Sequence, residues 1–171
     1  MEYLKIPKMN ADYPIERFAL DKGIGFTQAS EADLPLIYRL RKETITPIYH
    51  RAGEEWLPSV QQKWIDENVD PSQTHLIHRK SPIGCVGLYP VNPTTVWLRH
   101  FYIQPGYQGH GFGSEVLESI TEMADVMALD IELFKVPRNG PRPFYERHGF
   151  VAIDERDREL WMRRMHNEHR T

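Results

Sequence analysis

Glycines 109, 111 and 113 fall in the segment Tyr102-Ile103-Gln104-Pro105-Gly106-Tyr107-Gln108-Gly109-His110-Gly111-Phe112-Gly113. The segment lies between a stretch that reads as a strand and one that reads as a helix. Glycine has no Cβ, so an anion can approach the backbone N–H groups closely there. A helix beginning near Gly111 adds its own unpaired N–H groups and the positive end of its dipole. Together these would hold a phosphate or a pyrophosphate. A plain turn without a ligand is the bland alternative.

Three phosphate loops compete for this pattern. A Walker A loop needs a Lys followed by Ser or Thr after its last glycine. Here Ser114 follows Gly113 directly and the loop holds no Lys, which excludes it. The dinucleotide fingerprint is G-x-G-x-x-G, whereas this loop reads G-x-G-x-G. Asp130 stands at a suitable separation for a ribose-binding acid but precedes its strand instead of ending it. The third pattern, Q-x-x-G-x-G, is met by Gln108, Gly111 and Gly113.

The elements that must position this loop can be read from periodicity. Residues 1–22 have no clear period and read as an N-terminal extension over the surface. Ile24 to Gln28 reads as a strand, and Ser30 with Asp33 forms a capping box for the next helix. Leu34, Ile37, Tyr38 and Arg41 recur at helical spacing, a core face with Arg41 at its rim. Pro47, Gly53 and Pro58 predict short helices and turns over 44–58, before a helix from about Ser59 to Asn68 with Val60, Trp64 and Ile65 inward. Thr74–Arg79, Ile83–Val91 and Thr95–Ile103 follow as strands of a meander. After the loop, Val116, Leu117, Ile120, Met123, Ala124 and Met127 form the apolar stripe of a long helix. Ile131–Val136 is again a strand, and a short helix around Phe144–Arg147 ends at Gly149. Phe150–Ile153 and Glu159–Met165 pair as a final hairpin around a charged, solvated tip. The order β-α-α-β-β-β-α-β-α-β-β is an α+β pattern with a mixed sheet.

Bulk properties bound the function. The 171 residues suit one domain, and 40% hydrophobic with 26% charged residues is a globular composition. A net charge of -3 argues against a protein that lives on nucleic acid. Cys85 is the only cysteine, so no disulfide forms within the chain, as suits a reducing compartment. No apolar run is long enough for a signal peptide or a membrane span, so the expectation is a soluble cytoplasmic protein without a membrane partner.

The segment Phe101 to Gly113 resembles the acyl-CoA signature of the GNAT superfamily of N-acetyltransferases. There a strand with an apolar-aromatic-apolar triplet leads to Pro, an aromatic, Gln-Gly and the x-G-x-G loop. Downstream, Asn139, Phe144-Tyr145-Glu146-Arg147 and His148-Gly149-Phe150 resemble that family's Asn…Phe-Tyr-Glu-x-x-Gly-Phe block, with the Asn139–Tyr145 spacing one residue shorter than usual. The resemblance runs from about Ile24 to Met165. It implies one GNAT-like domain over 23–171, with a mostly antiparallel sheet of about six to seven strands and about four helices. It implies acetyl-CoA as cosubstrate, no metal, and direct transfer of the acetyl group to a primary amine of a small molecule or peptide. The matched cofactor positions are Phe101, Tyr102, Ile103, Gln108, Gly109, His110, Gly111, Phe112, Gly113, Ser114 and Asn139. Tyr145 matches the general acid that protonates the CoA thiolate. Relatives are often homodimers, and their acceptor pocket is built by the first two helices, here about Arg39 to Trp64.

The general base stays unassigned. No carboxylate stands on Thr95–Ile103, where alternation would place Trp97, Arg99, Phe101 and Ile103 on one face and Val96, Leu98, His100 and Tyr102 on the other. His100, Glu132, Glu54, Glu55 and a water chain are the candidates, with a structural role the default for His100. The missing carboxylate leaves a catalytically silent acyl-CoA-binding sensor or module as the alternative function. His75 and His78 point to opposite faces of one strand, and His166, Glu168 and His169 sit in a charged tail, so neither set reads as a metal site.

Overall fold

A computed structural model of the chain describes residues 11–137, 141–156 and 159–168. Its elements are β1 (Gly25–Gln28), α1 (Leu34–Ala52), α2 (Pro58–Asn68), β2 (Thr74–His78), β3 (Pro82–Asn92), β4 (Thr95–Ile103), α3 (Phe112–Val126), β5 (Asp130–Pro137), α4 (Arg142–Arg147), β6 (Val151–Arg156) and β7 (Glu159–Arg164). The strands form one mixed sheet in the order β1-β2-β3-β4-β5-β7-β6. β1 and β2, β2 and β3, β5 and β7, and β6 and β7 pair antiparallel. β4 and β5 pair in parallel from Thr95↔Asp130 to Trp97↔Glu132. The α+β order expected from the sequence is the one observed.

The chain forms two compact units, and β3, β4 and α3 run through both. One holds 19–87 and 100–116; the other holds the chain up to Phe18, 88–99 and the residues from Leu117 on. In the first, Ile37, Leu40, Ile65, Val69, Leu76, Cys85 and Tyr102 make a buried cluster, with Leu34, Tyr38 and Trp64 packed against it. Burying such side chains is worth about 1.5–3 kcal/mol each, which holds α1 and α2 on this part of the sheet. In the second, Leu117, Ile120, Met123 and Ala124 of α3 are fully buried, as are Ile131 of β5 and Met162 of β7. There Asp125 accepts two hydrogen bonds from the Arg164 guanidinium, at 2.8 and 3.0 Å. Tyr13 and Ile15, within the N-terminal segment, are buried too.

Several local expectations need correction. α1 does not break at Pro47; it runs on to Ala52 and ends at Gly53, whose φ of 73° caps it in the left-handed region. Pro47 loses the N–H that would have bonded one turn back, and its ring crowds the carbonyl there; packing of Ile45 on the core and of Tyr49 on Trp56 favours the helix against that local loss. In α2 Ile65 is buried and Trp64 packs on the core as expected, but Val60 is exposed and Gln61 takes the inward place instead. Met127 lies beyond the end of α3 and is partly exposed. Arg41 is not at a rim: it is only 8% exposed.

Gly84 of β3 meets β4 at close quarters. A Cβ there would sit 2.3 Å from the Tyr102 carbonyl oxygen and 3.1 Å from Ile103 Cδ1. The nearest atom is backbone and cannot swing aside. Gly84→Ala is therefore expected to destabilise the protein by about 2 kcal/mol, as overpacking of a filled site does. Urea unfolding measures this; an unchanged midpoint would show that the two strands can separate at no cost.

Candidate active site

The glycine loop is anchored at both ends. Gln104 N–H donates to the Ile83 carbonyl at 2.7 Å, and Pro105–Tyr107 makes a turn of 3-10 helix. Gln108 is exposed, and its side-chain amide donates to the Ile103 carbonyl at 2.8 Å, tying the loop back onto the end of β4. Gly109 and Gly111 take φ of 75° and 84°, a conformation that carries a cost of roughly 1–2 kcal/mol for a residue with a side chain. Gly113 lies within the first turn of α3.

This geometry has a consequence for hydrogen bonding. Among the described residues, no backbone N–H from Gly109 through Ser114 has an acceptor within the protein. The next one, Glu115 N–H, donates to Gly111 at 3.1 Å and starts the α-helical ladder. Part of this run is the set of orphan donors every helix start leaves. The loop extends it by Gly109 and His110, and the left-handed turns at Gly109 and Gly111 are the backbone conformation from which N–H nests for anions are built. Arg79, which sequence reasoning missed, adds a cation: its guanidinium lies 4.8 Å from the centre of the Phe112 ring and donates to the Gly23 carbonyl at 2.7 Å. Nothing in the sequence near Arg79 signals this, since strand pairing alone brings it to the start of α3.

β4 carries the other matched positions. His100 takes a φ of 50°, unusual for a residue with a side chain, so the simple alternation expected along β4 is interrupted there. Its ring meets Trp64 edge-on at 5.3 Å, and Nε2 lies 3.0 Å from the Asn68 carbonyl. A carbonyl only accepts, so Nε2 carries the proton in this arrangement. Tyr102 turns its hydroxyl toward α1, where Arg41 donates to it at 2.8 Å.

Tyr145 lies in the other unit. α4 holds its ring edge-on to Phe144 at 5.2 Å and to Phe150 at 5.6 Å. Its hydroxyl makes no hydrogen bond among the described residues. Burial pushes the phenol well above its ordinary value, so it stays protonated at any working pH. α4 closes with the Gly149 N–H donating to Glu146 and with Gly149 at a φ of 88°. Glu132, a candidate base, is engaged otherwise: it accepts from Arg163 at 3.2 Å and from the Trp97 indole at 3.3 Å. Glu54 and Glu55 are exposed. Asn139 lies outside the described residues, as does His169.

Residues 70–152 match the family described as an acetyltransferase (GNAT) domain. That stretch, just under half of the chain, is identified with the GNAT acetyltransferases. The matched stretch contains both the glycine loop and Tyr145. Solved structures share the fold. The PaiA N-acetyltransferase of Thermoplasma acidophilum, crystallised with coenzyme A, is 18% identical, with a TM-score of 0.66 over 84% of this chain and 99% of that one. Ard1 of Thermoplasma volcanium is 16% identical, with a TM-score of 0.62 over 85% and 99%. N-acetylglutamate synthase of Neisseria gonorrhoeae, complexed with coenzyme A and L-arginine, is 14% identical with a TM-score of 0.59; 85% of this chain covers 34% of that protein. No curated protein sequence matches the chain. Among the described residues, no helix is long and apolar enough to cross a membrane.

Proposed function

We propose that the chain is an N-acetyltransferase that moves the acetyl group of acetyl-CoA to a primary amine of a small molecule or peptide. The observation that carries this is the run of unpaired N–H groups from Gly109 to Ser114 at the start of α3. In the proposed complex these donors hold the CoA pyrophosphate, with the pantetheine along Phe101–Ile103. Arg79 adds positive charge on the same side of α3. A helix start with left-handed glycines binds a diphosphate through backbone alone, so it does not depend on side-chain titration.

Direct attack by the amine is favoured over an acyl-enzyme. Cys85, the only cysteine, is fully buried, and burial pushes its thiol up to about 12, against a smaller lowering by the Tyr102 backbone. A thiol in that state does not form the thiolate a nucleophile needs. In direct attack the amine nitrogen bonds to the thioester carbon, the tetrahedral oxyanion collapses, and the C–S bond breaks. The thiolate leaves and takes a proton, which the proposal assigns to the Tyr145 hydroxyl. The amine must lose a proton, and with Glu132 and His100 both engaged, bulk water or a water chain is the proposed acceptor.

That engagement favours one second reading, an acyl-CoA-binding module without turnover. Thiol release from acetyl-CoA, followed over a panel of amines, amino acids and peptides, separates the two. The enzyme reading expects amine-dependent release and an acceptor heavier by one acetyl group in mass spectrometry. Tight CoA binding with no acetylated acceptor supports the module, and no binding at millimolar CoA sinks both.

A further inference from the structure

Arg41 is a buried cation whose hydrogen-bond partners are uncharged. It stands on α1, is only 8% exposed, and packs its guanidinium carbon 3.5 Å over the centre of the Trp64 ring. Its partners are neutral: Nε donates to Gln61 Oε1 at 3.2 Å and Nη1 to the Tyr102 hydroxyl at 2.8 Å. Among the described residues no carboxylate pairs with it, and Nη2 has no acceptor. Nη2 is not completely sealed, and the side chain keeps the small residual exposure through which a ligand could reach it. A buried cation without an anion is costly, and proteins rarely keep one unless something else supplies the charge.

The surroundings say where that charge comes from. Gln61 Nε2 lies 3.4 Å from the Tyr49 hydroxyl, Tyr49 packs on Trp56 at 6.2 Å, and the Trp56 indole donates to the Tyr38 hydroxyl at 3.2 Å. These residues belong to α1, α2 and the turn between them, all within one compact unit. The Arg41 edge still free carries one N–H on Nη1 and two on Nη2, a side-by-side pair that matches the two oxygens of a carboxylate. Tyr102 and Gln61 fix the guanidinium so that this edge is presented in one orientation.

We propose that Arg41 is the specificity-determining residue for an acceptor amine that bears a carboxylate, such as a free amino acid. The inference rests on the acetyl-transfer reading above and names the substrate class for it. The acceptor carboxylate would dock on Nη1 and Nη2 of Arg41, with the aromatic side chains near Gln61 covering its apolar part.

Matched pairs of amines test it: α-amino acids against their carboxamides, each offered with acetyl-CoA while thiol release is followed. The best carboxylate should exceed its amide in kcat/KM by about 100-fold or more, because the amide leaves the buried cation unpaired. In Arg41→Gln the carboxylate should fall to the level of the amide while calorimetric CoA affinity holds, and Arg41→Lys should recover part of the difference. Titrating the CoA-loaded protein with N-acetylated amino acids and their amides reads the same preference without turnover.

Equal use and equal binding of the two forms by the unaltered protein would overturn the inference and leave acetyl transfer standing. Loss of CoA affinity in Arg41→Gln without any carboxylate preference would overturn it as well. If no amine is acetylated, the transfer reading fails, and the titration alone decides: carboxylate-selective binding upholds the anion site and its absence refutes it. Should Arg41→Gln not fold, the carboxylate-to-amide ratio of the unaltered protein and of Arg41→Lys decides instead: a ratio that shrinks in Arg41→Lys upholds the inference, and one that stays the same refutes it.

Discussion

Gly111→Val should weaken acetyl-CoA binding by roughly 100-fold or more. At a φ of 84° a β-branched residue is strongly disfavoured, although no neighbouring atom lies within 4 Å of where a Cβ would sit. The obstacle is thus conformational, and the loop can relieve it by turning Gly111 back to negative φ. That rotation redirects the adjacent peptide N–H groups and breaks up the nest. If those donors hold the diphosphate, affinity in calorimetry should fall by roughly 100-fold or more, the scale of losing two or three charge-assisted hydrogen bonds. Gly106→Ala is the control: Gly106 is not left-handed and nothing crowds it, so its affinity should be unchanged. A Gly111→Val protein that folds and binds CoA normally would place the ligand elsewhere.

Tyr145→Phe should lower the turnover number by roughly 10²- to 10³-fold, the range of general acid catalysis, while leaving the Michaelis constant for acetyl-CoA nearly constant. The hydroxyl has no hydrogen bond among the described residues, so its removal should not shift the thermal midpoint. That separates a chemical role from a packing one, since the ring contacts with Phe144 and Phe150 persist in the variant. The pH dependence has a definite sign. Burial raises the phenol above its ordinary value, so the protonated donor is retained as pH rises. The rate of the unaltered protein should therefore show no loss through Tyr145 ionisation up to at least about pH 10, its unperturbed value. A variant turning over at the parent rate would assign the proton to water, and one that loses CoA affinity would make Tyr145 a binding residue.

The element order, the capping box at Ser30 and Asp33, and the glycine nest were all legible in the amino-acid sequence. The reason is that each is a local property. Helical and strand periods repeat within a few residues, and a helix start leaves its orphan donors whatever the rest of the chain does. What the tertiary structure alone decided depends on partners far away along the chain. Arg41 reads as a rim residue until Tyr102, 61 positions later, and Trp64 close over it. Glu132 reads as a candidate base until Arg163 and Trp97 claim its oxygens. Gln108 matches a binding motif, and only the folded chain shows that its amide bonds to the Ile103 carbonyl. α1 continues through an exposed Pro47, with Ile45 before it packed on the core and Tyr49 after it packed on Trp56. A side chain's type and spacing set what it can do chemically; its burial and the groups that reach it first decide whether it is left to do so.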